Sequence, residues 1–348
     1  MDDIARLPAG DRSELFGTAS AKRNDMRPAL VEKYFWVCWT LKRIFTLENP
    51  PAGLVFKGGT SLSKVYETID RFSEDVDLSF DWSALGFGGD NDPAKAPSRQ
   101  QESKRLESLS EACREMIRER YLPQLRTAFA AALGTAPSQE TWRLALAQDD
   151  PDAQTLLFHY PAGVGERDES MARYQLPVVR LELGARGEQW PAQQATVTSY
   201  AAQAIPEPFK NPSCKVKALS PERTFWEKAT ILHVCYHRPA GKPFLPRQSR
   251  HYYDVMKLYE KGVGKKALGD LDLLKSVAEH KTVFFRAAAA KYDEAVPGSL
   301  RLVPPGARGR LREDAGNDLR NSAVAGRCPG RDCRHRAPGE RKPLIFKF

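Results

Sequence analysis

The hydrophobic pattern changes along the chain, from mixed helical and strand spacing to helical spacing after residue 219. A wide apolar face predicts a helix over residues 28–47, and residues 98–133 predict one or two long charged helices beside a sheet. Apolar runs and period-two alternation predict strands near 54–56, 75–80, 141–147, 154–160, 176–184 and 195–199. The pattern therefore indicates an α/β core followed by a helical region.

The segment LVFKGGTSLSKVYETIDRFSEDVDLSF, residues 54–80, is the most informative part of this pattern. Its first apolar run stops at Gly58 and Gly59, where the chain can turn tightly and backbone N–H groups can approach an anion. A helix is predicted to begin at Thr60 or Ser61. Its apolar positions at helical spacing are Leu62, Val65, Tyr66 and Ile69. Because the free N–H groups at a helix start attract anions, this corner predicts a phosphate-binding turn.

The second strand of the segment, DVDLSF, carries two carboxylates. Its alternation places Asp75, Asp77 and Ser79 on one face and apolar residues on the other. Two carboxylates about 7 Å apart on a strand face suit paired Mg²⁺ ions that assist phosphoryl transfer. Taken separately, the diglycine segment is more simply interpreted as an ordinary turn and the acidic strand as one with a polar face. Their occurrence together in this order favours a site for a metal ion and a phosphate.

Four blocks of the chain resemble, in the same order, the AbiEii-type nucleotidyltransferase toxins, which are relatives of the MenT toxins. They are ALVEKYFWVCWTLKRIF, KGGTSLSKVY with RFSEDVDLSF, SPERTFWEKATILH and SRHYYDVMKLYE. The resemblance covers roughly residues 10–305. It implies a core like that of the polymerase-β-like nucleotidyltransferase superfamily, a mixed sheet with flanking helices, plus a helical C-terminal domain.

The superfamily pattern includes a third carboxylate on a neighbouring strand. Glu182, in LPVVRLELG, is the candidate, both as a metal ligand and as the group that accepts the proton of the attacking hydroxyl. A solvent-facing strand residue is the open alternative.

Lys228 lies on the helix predicted to begin at Pro221, with Ser220 as its N-cap. It falls at the edge of the apolar face around Phe225, where a lysine either extends to water or holds a phosphate. The resemblance implies the second role, because the lysine of the matching FWEKATIL block contacts nucleotide phosphates.

The block SRHYYDVMKLYE supplies the remaining candidates. Its predicted buried stripe consists of Tyr252, Val255, Met256 and Tyr259. Asp254 and Arg250 point elsewhere in this pattern, and a solvated Asp254 pair would be worth under ~1 kcal/mol. The resemblance implies instead that Asp254 belongs to the active site, as an acid that orients the nucleotide or a side chain in contact with it. Arg250 and Tyr253 are candidates for nucleotide or substrate contacts.

Length and composition set wider limits. The 348 residues, 41% hydrophobic, are enough for two domains, and we expect a core over 1–219, a helical domain over 220–300 and a tail over 301–348. No apolar run approaches the ~20 residues of a membrane span, and the first residues lack a signal peptide's apolar stretch, so we expect a cytoplasmic protein. The six cysteines show no paired C-x-x-C spacing, which argues against a zinc site and favours reduced thiols.

The tail holds most of the net charge. From residue 301 onward there are 12 Lys and Arg against 5 Asp and Glu, so the tail contributes +7 of the total +9 and residues 1–300 contribute +2. Residues 306–343 are rich in Arg, Gly and Pro without periodicity. Three interpretations of this composition compete: an RNA-binding tail, an inert disordered end, and a stretch translated out of frame. We favour the last, because a shifted reading of the codons for 317–324 allows words that resemble the family.

These observations predict an Mg²⁺-dependent nucleotidyltransferase that moves a nucleoside monophosphate from an NTP to an acceptor. The predicted catalytic residues are Asp75, Asp77, Lys228 and Asp254. The predicted nucleotide-binding residues are Gly58, Gly59, Thr60, Ser61, Lys228 and Arg250. The predicted ligands of two Mg²⁺ ions are Asp75, Asp77 and Glu182.

The resemblance also implies a biological setting, the toxin of a type IV toxin–antitoxin or abortive-infection pair that modifies tRNA 3′ ends and is neutralised by a neighbouring antitoxin. Three alternatives stay open. The protein is a regulator that binds GTP or another NTP without turnover, an RNA-binding protein acting through its tail, or a nucleotidyltransferase acting on a protein or an antibiotic.

Overall fold

The computed structural model describes residues 1–24, 26–134, 142–164, 176–239, 248–287, 290–296 and 300. Its helices are α1 (Asp2–Ala5), α2 (Ala9–Ala21), α3 (Pro28–Phe45), α4 (Gly58–Lys64), α5 (Arg99–Met116), α6 (Leu122–Leu133), α7 (Tyr200–Ala204), α8 (Pro221–Tyr236), α9 (Ser249–Glu260), α10 (Val263–Leu268) and α11 (Leu271–Phe284). Its strands are β1 (Leu54–Lys57), β2 (Val76–Phe80), β3 (Arg143–Leu146), β4 (Thr155–His159), β5 (Val178–Gly184), β6 (Ala192–Thr198) and β7 (Ser213–Leu219).

The described strands form one mixed sheet in the order β3-β4-β5-β2-β1-β7-β6. The β2–β5 and β1–β7 pairs are parallel, and the other neighbouring pairs are antiparallel. Helices flank this sheet, and α8 to α11 follow it in the chain. The predicted fold class, a mixed sheet with flanking helices and a helical C-terminal part, is confirmed.

The leading helix α3 crosses one face of the sheet and forms the centre of the larger hydrophobic core. Trp36 and Trp39 on α3 are fully buried, and the ring of Phe158 on β4 lies 5.9 and 5.6 Å from them. The ring of Phe129 on α6 lies 4.7 Å from Phe158. The helix predicted over 28–47 is therefore confirmed as a core helix, and it covers the face opposite to Asp77.

Replacing Phe158 by alanine is expected to lower the free energy of unfolding by about 3–5 kcal/mol, because the truncation leaves a cavity between large rings that cannot close around it. Urea titration followed by circular dichroism measures the change. The matched control is Phe285→Ala, since that ring is 44% exposed and its loss should cost at most about 0.5 kcal/mol. Equal losses in the two variants would contradict this account of the core.

The charged segment predicted over 98–133 is helical from Arg99 to Leu133, with a π-helical turn over Ile117–Tyr121 between α5 and α6. Its buried positions, among them Leu109, Tyr121 and Phe129, join the main core. This prediction is confirmed.

A second hydrophobic cluster fastens the C-terminal helices to the start of the core. It contains Phe225 of α8 and Leu258 of α9, and also Leu62 of α4 and Ile69 of the following loop. The segment after the diglycine is thus shared between the sheet and α8 to α11. The domain boundary at residue 220 stays a prediction.

Helix α4 differs from its prediction. It begins at Gly58 rather than at Thr60 or Ser61 and ends at Lys64, so three of the four predicted apolar positions lie beyond it. Glu67 takes a left-handed conformation with φ +49°, and the Thr68 N–H and hydroxyl both donate to Leu62 O. The chain therefore folds back after one or two turns, and Ile69 is buried without being helical.

Strand β7 was not predicted. Its sequence SCKVKAL alternates buried Cys214, Val216 and Ala218 with exposed Lys215 and Lys217. This alternation was the available signal. The predicted start of β6 was also three residues late.

Two further expectations concern the whole chain. Cys38, Cys113, Cys214 and Cys235 are free and buried, as expected for reduced thiols, and the other two cysteines lie outside the described residues, as does the whole 301–348 tail. Within the described part of the chain no helix is long and apolar enough to cross a bilayer.

Candidate active site

The strand register brings three charged side chains into one row on the sheet face opposite α3. Lys57 of β1 pairs with Asp77 of β2, and Asp77 pairs with Glu182 of β5. Residues opposite each other on neighbouring strands project to the same face. The row therefore joins the end of β1, where the diglycine follows, to both of the strands that carry predicted carboxylates.

The diglycine turn touches the Asp77 carboxylate directly. Gly58 has φ +76°, a conformation that favours glycine, and a Cβ there would overlap Asp77 Oδ2 and lie 2.6 Å from its Cγ. The two features singled out in the sequence thus meet in space, since only a residue without a side chain allows the carboxylate to lie against the turn.

Asp77 is the strongly perturbed acid of this row. Burial is the main cause, and the charge of Glu182 adds to it, so the pKa of Asp77 rises to about 7 although Lys57 lowers it. A side-chain hydrogen bond between Glu182 and Asp77 also raises the pKa. Asp75 lies just before β2 and acts on Asp77 through its charge. Perturbed acids of this kind cluster at functional sites.

The chemistry of these acids fits a hard divalent cation. Two carboxyl groups share a hydrogen bond only while one of them carries a proton, and a cation between them would replace that proton. However, the side chains of the three predicted ligands do not lie close enough together to form a complete metal site. Among the described residues no group of three or more His, Cys, Asp or Glu side chains is placed to hold a metal ion. Glu182 also pairs with Arg180 at 3.4 Å.

The other predicted residues of the turn lie inside the protein. Thr60 and Ser61 are fully buried. Ser61 donates to Gly58 O at 3.2 Å, and Thr60 Oγ1 lies 3.0 Å from Ser73 Oγ. Their hydroxyl groups therefore shape the turn from within. At a helix start the backbone N–H groups lack intrahelical partners, so they are the donors expected to meet an anion.

Asp254 is fully buried at the meeting of α9, α8 and the loop after α4. Its oxygens accept from Arg71 Nε at 2.7 Å and Nη2 at 2.8 Å, and Lys228 Nζ lies 2.9 Å from Oδ2. Burial would raise the pKa of Asp254, but Lys228 and Arg71 outweigh it and hold the pKa below its usual value. Lys228 is also buried, at 8% exposure.

The predicted stripe of α9 is wrong on this point. Asp254 faces inward with Val255 and Leu258, whereas Met256 is 36% exposed. Helical spacing alone assigns a charged residue to the solvent side, and the two cations on other elements reverse that assignment.

The remaining candidates on α9 surround Asp254. Arg250 lies one turn earlier and is half-buried, and Tyr253 OH accepts from the backbone N–H of Asp70 at 3.3 Å. Burial, followed by the charges of Lys228 and Arg250, lowers the pKa of the neighbouring His251 to about 3. Lys228 and Arg250 thus both place positive charge near the His251 ring.

Sequence reasoning missed Lys57, Arg71 and Glu227. Glu227 precedes Lys228, and its pKa is lowered because Lys57, Lys281 and Arg223 outweigh the opposing effect of burial. It thereby joins α8 to the end of β1 and to α11. The signal for Lys57 and Arg71 was only their adjacency to the diglycine and to the acidic strand, and nothing local distinguishes them from surface charges.

The sequence profile of the family described as nucleotidyl transferase AbiEii toxin, type IV toxin–antitoxin system, matches residues 39–324. Among solved structures, the nucleotidyltransferase toxin MenT4 (Rv2826c) from Mycobacterium tuberculosis H37Rv is similar at 15% identity and a TM-score of 0.44, over 90% of this chain and 93% of that chain. No curated protein sequence matches.

The chain belongs to the AbiEii family of nucleotidyltransferase toxins, because the matched range spans most of it. It is accordingly an enzyme of the nucleotidyltransferase class with an NTP substrate, and membership implies an antitoxin partner. The matched range reaches residue 324, further than the resemblance expected from the sequence. The out-of-frame interpretation of the tail stays a prediction.

Proposed function

We propose that this protein transfers a nucleoside monophosphate from an NTP to the 3′ acceptor end of tRNA, with Mg²⁺ held by Asp75, Asp77 and Glu182. The observation that supports it most is the contact between Gly58 and the Asp77 carboxylate, because it joins a phosphate-binding turn to the metal-binding acids. The toxin class of the family supports the biological setting, in which a cognate antitoxin encoded nearby restrains the enzyme in the cytoplasm.

Each residue has a defined part in this proposal. The backbone N–H groups of the turn at Gly58 and Gly59 hold the outer phosphates. The Lys228 ammonium faces the negative charge that develops during transfer, and Asp254 orients that ammonium. Asp75, Asp77 and Glu182 would hold the divalent ions, which would supply charge neutralisation and alignment of the triphosphate.

The oxygen of the acceptor hydroxyl forms a bond to the α-phosphorus, the bond from that phosphorus to the bridging oxygen breaks, and pyrophosphate leaves with the electron pair. Glu182 accepts the hydroxyl proton, since it is 48% exposed in the row beside Asp77 and can reach an incoming acceptor.

The test is transfer of label from each α-labelled NTP to total tRNA by wild-type protein and by the Asp77→Ala variant, with Mg²⁺ and with a chelator. We expect label on tRNA only with wild type and Mg²⁺, with a preference for particular nucleotides. Asp90→Ala is the matched control, because Asp90 is exposed on a surface turn and should leave transfer unchanged.

Other outcomes separate the alternatives. Saturable NTP binding without pyrophosphate release would favour a regulator, and label on protein or on an antibiotic would move the acceptor to those classes. Loss of the effect on deleting residues 306–348, with Asp77→Ala still active, would favour an RNA-binding tail. No transfer to any acceptor would remove the proposal.

A further inference from the structure

The Arg71 guanidinium lies where three separate parts of the chain meet. Its Nε and Nη2 bind both oxygens of Asp254 on α9, and its Nη1 donates to Phe72 O at 3.1 Å. Lys228 of α8 lies 2.9 Å from Oδ2, the same Asp254 oxygen that Arg71 Nη2 binds. Two cations from different elements therefore share one carboxylate oxygen.

The same guanidinium lies against the diglycine turn. A Cβ on Gly59 would lie 2.7 Å from Arg71 Nη2 and 2.7 Å from Ser73 Oγ, so these two groups fill the space of a side chain at that position. Gly58 accommodates the Asp77 carboxylate, and Gly59 accommodates Arg71. An acidic side chain therefore packs against the first glycine of the turn, and a basic side chain packs against the second.

Arg71 adds one positive charge to the pair formed by Lys228 and Asp254. Lys228 and Asp254 alone would form a neutral pair, in which the ammonium is committed to the carboxylate. With Arg71 bound to both oxygens, the group of three carries a net charge of about +1, and Asp254 is a weaker partner for Lys228 because it is already satisfied by a bidentate guanidinium. We therefore expect Asp254 to hold the Lys228 ammonium less tightly than it would in an isolated pair.

The geometry points to Arg71 as a positioning residue of the transfer reaction: it fixes the Asp254 carboxylate and thereby orients Lys228, while its own Nη2 lies against the diglycine turn. This inference rests on the proposed function for its catalytic readout. It assigns to Arg71 an action through Asp254 and Lys228, not a contact with the reacting atoms.

The experiment compares wild type with Arg71→Lys and Arg71→Met, together with Lys228→Met and the double variant Arg71→Met with Lys228→Met. Arg71→Met is expected to lower kcat at least about tenfold, because Lys228 then pairs with Asp254 in a different position. Arg71→Lys should recover part of kcat, since it restores the charge but binds one oxygen. The double variant should be no slower than Lys228→Met alone, because Arg71 acts through Lys228.

The pH profile separates positioning from structural support. Loss of the guanidinium raises the pKa of Asp254, so the acid limb of the kcat profile should move to higher pH in Arg71→Met and return with Arg71→Lys. A residue that only stabilised the fold would lower the melting temperature and leave the profile of the folded enzyme unmoved.

Gly59→Ala provides a second route that keeps every charge. The added Cβ displaces the guanidinium, and kcat should fall in the same direction as in Arg71→Met. Gly17→Ala is the control, since a Cβ there meets nothing within 4 Å. Unchanged kcat in Arg71→Met, or independent multiplication of the Arg71→Met and Lys228→Met losses, would overturn the inference.

Binding of a fluorescent NTP analogue without acceptor distinguishes this failure from failure of the proposed function. Arg71→Met should weaken binding about tenfold through the lost positive charge, and Arg71→Lys less. If wild type binds the analogue but labels no acceptor, the proposed function is wrong. The comparison of analogue binding between wild type and Arg71→Met still tests the role of Arg71. Equal binding by wild type and Arg71→Met would contradict the role of Arg71 at the turn.

Discussion

Gly58→Ala is expected to reduce nucleotide transfer by about 100-fold or more, because a catalytic group displaced by about 1 Å loses that much rate. The new Cβ would overlap Asp77 Oδ2, so the carboxylate must leave its place beside the turn or the turn must move away from β2. Either change separates the backbone proposed to bind phosphate from the acid proposed to bind the metal ion. Steady-state transfer assays on folded protein measure the effect.

Gly86→Ala is the matched control for backbone strain. Gly86 has φ +89°, close to the +76° of Gly58, but a Cβ there meets nothing within 4 Å. Both variants should lose about 1–2 kcal/mol of stability from the left-handed conformation, and only Gly58→Ala should lose transfer. Equal activity in the two variants would show that the contact between the turn and Asp77 has no part in the reaction.

The second large effect is a steep pH dependence of divalent-ion binding. Burial and the charge of Glu182 raise the pKa of Asp77 to about 7, and a carboxylate must lose its proton to bind a cation. The apparent Mg²⁺ affinity should therefore level off above about pH 8 and approach a tenfold fall for each pH unit below 7, which gives about a 50-fold fall from pH 7 to pH 5. Titration calorimetry on metal-free protein measures this directly.

The stability of the metal-free protein should depend on pH in the opposite direction to the Mg²⁺ affinity. The folded-state pKa of Asp77 lies above the unfolded value of 3.8, so the contribution of its proton to stability is present below about pH 4 and is lost as the pH rises through about 7. Metal-free protein should become less stable over this window relative to Asp77→Asn, which has no such proton. Mg²⁺ should restore stability at pH 8. Affinity that stays flat between pH 6 and pH 8 would refute the assignment of Asp77 as a ligand.

Much of the fold could be predicted because its signals are local. The wide apolar face of α3, the Ser220 cap before Pro221 and the alternation of β2 each arise from neighbours in sequence. The length of α4 could not, because the turn at Glu67 depends on Leu62 and Ile69 packing against α8 to α11. The apolar spacing of this segment correctly predicted that Ile69 is buried, but it wrongly predicted that the helix continues to this residue.

The candidate site divides in the same way. Sequence pattern and resemblance single out Asp77, Lys228 and Asp254 as candidates, and these roles stay predictions. The helical pattern by itself places Asp254 on the solvent side. Its burial is decided by Arg71, which lies 183 residues away in the chain and binds both of its oxygens. No local pattern encodes a pairing at that separation.

By itself the sequence determined the chemical groups and their order: a diglycine turn, an acidic strand, a lysine on a capped helix and an aspartate on a later helix. Only the tertiary structure decided how they meet. The register that sets Lys57 beside Asp77, and the packing that joins Asp254 to Arg71 and Lys228, both depend on contacts between distant segments. The free energy of such contacts comes from burial and charge pairing in the folded chain, and neither can be inferred from neighbouring residues in the sequence.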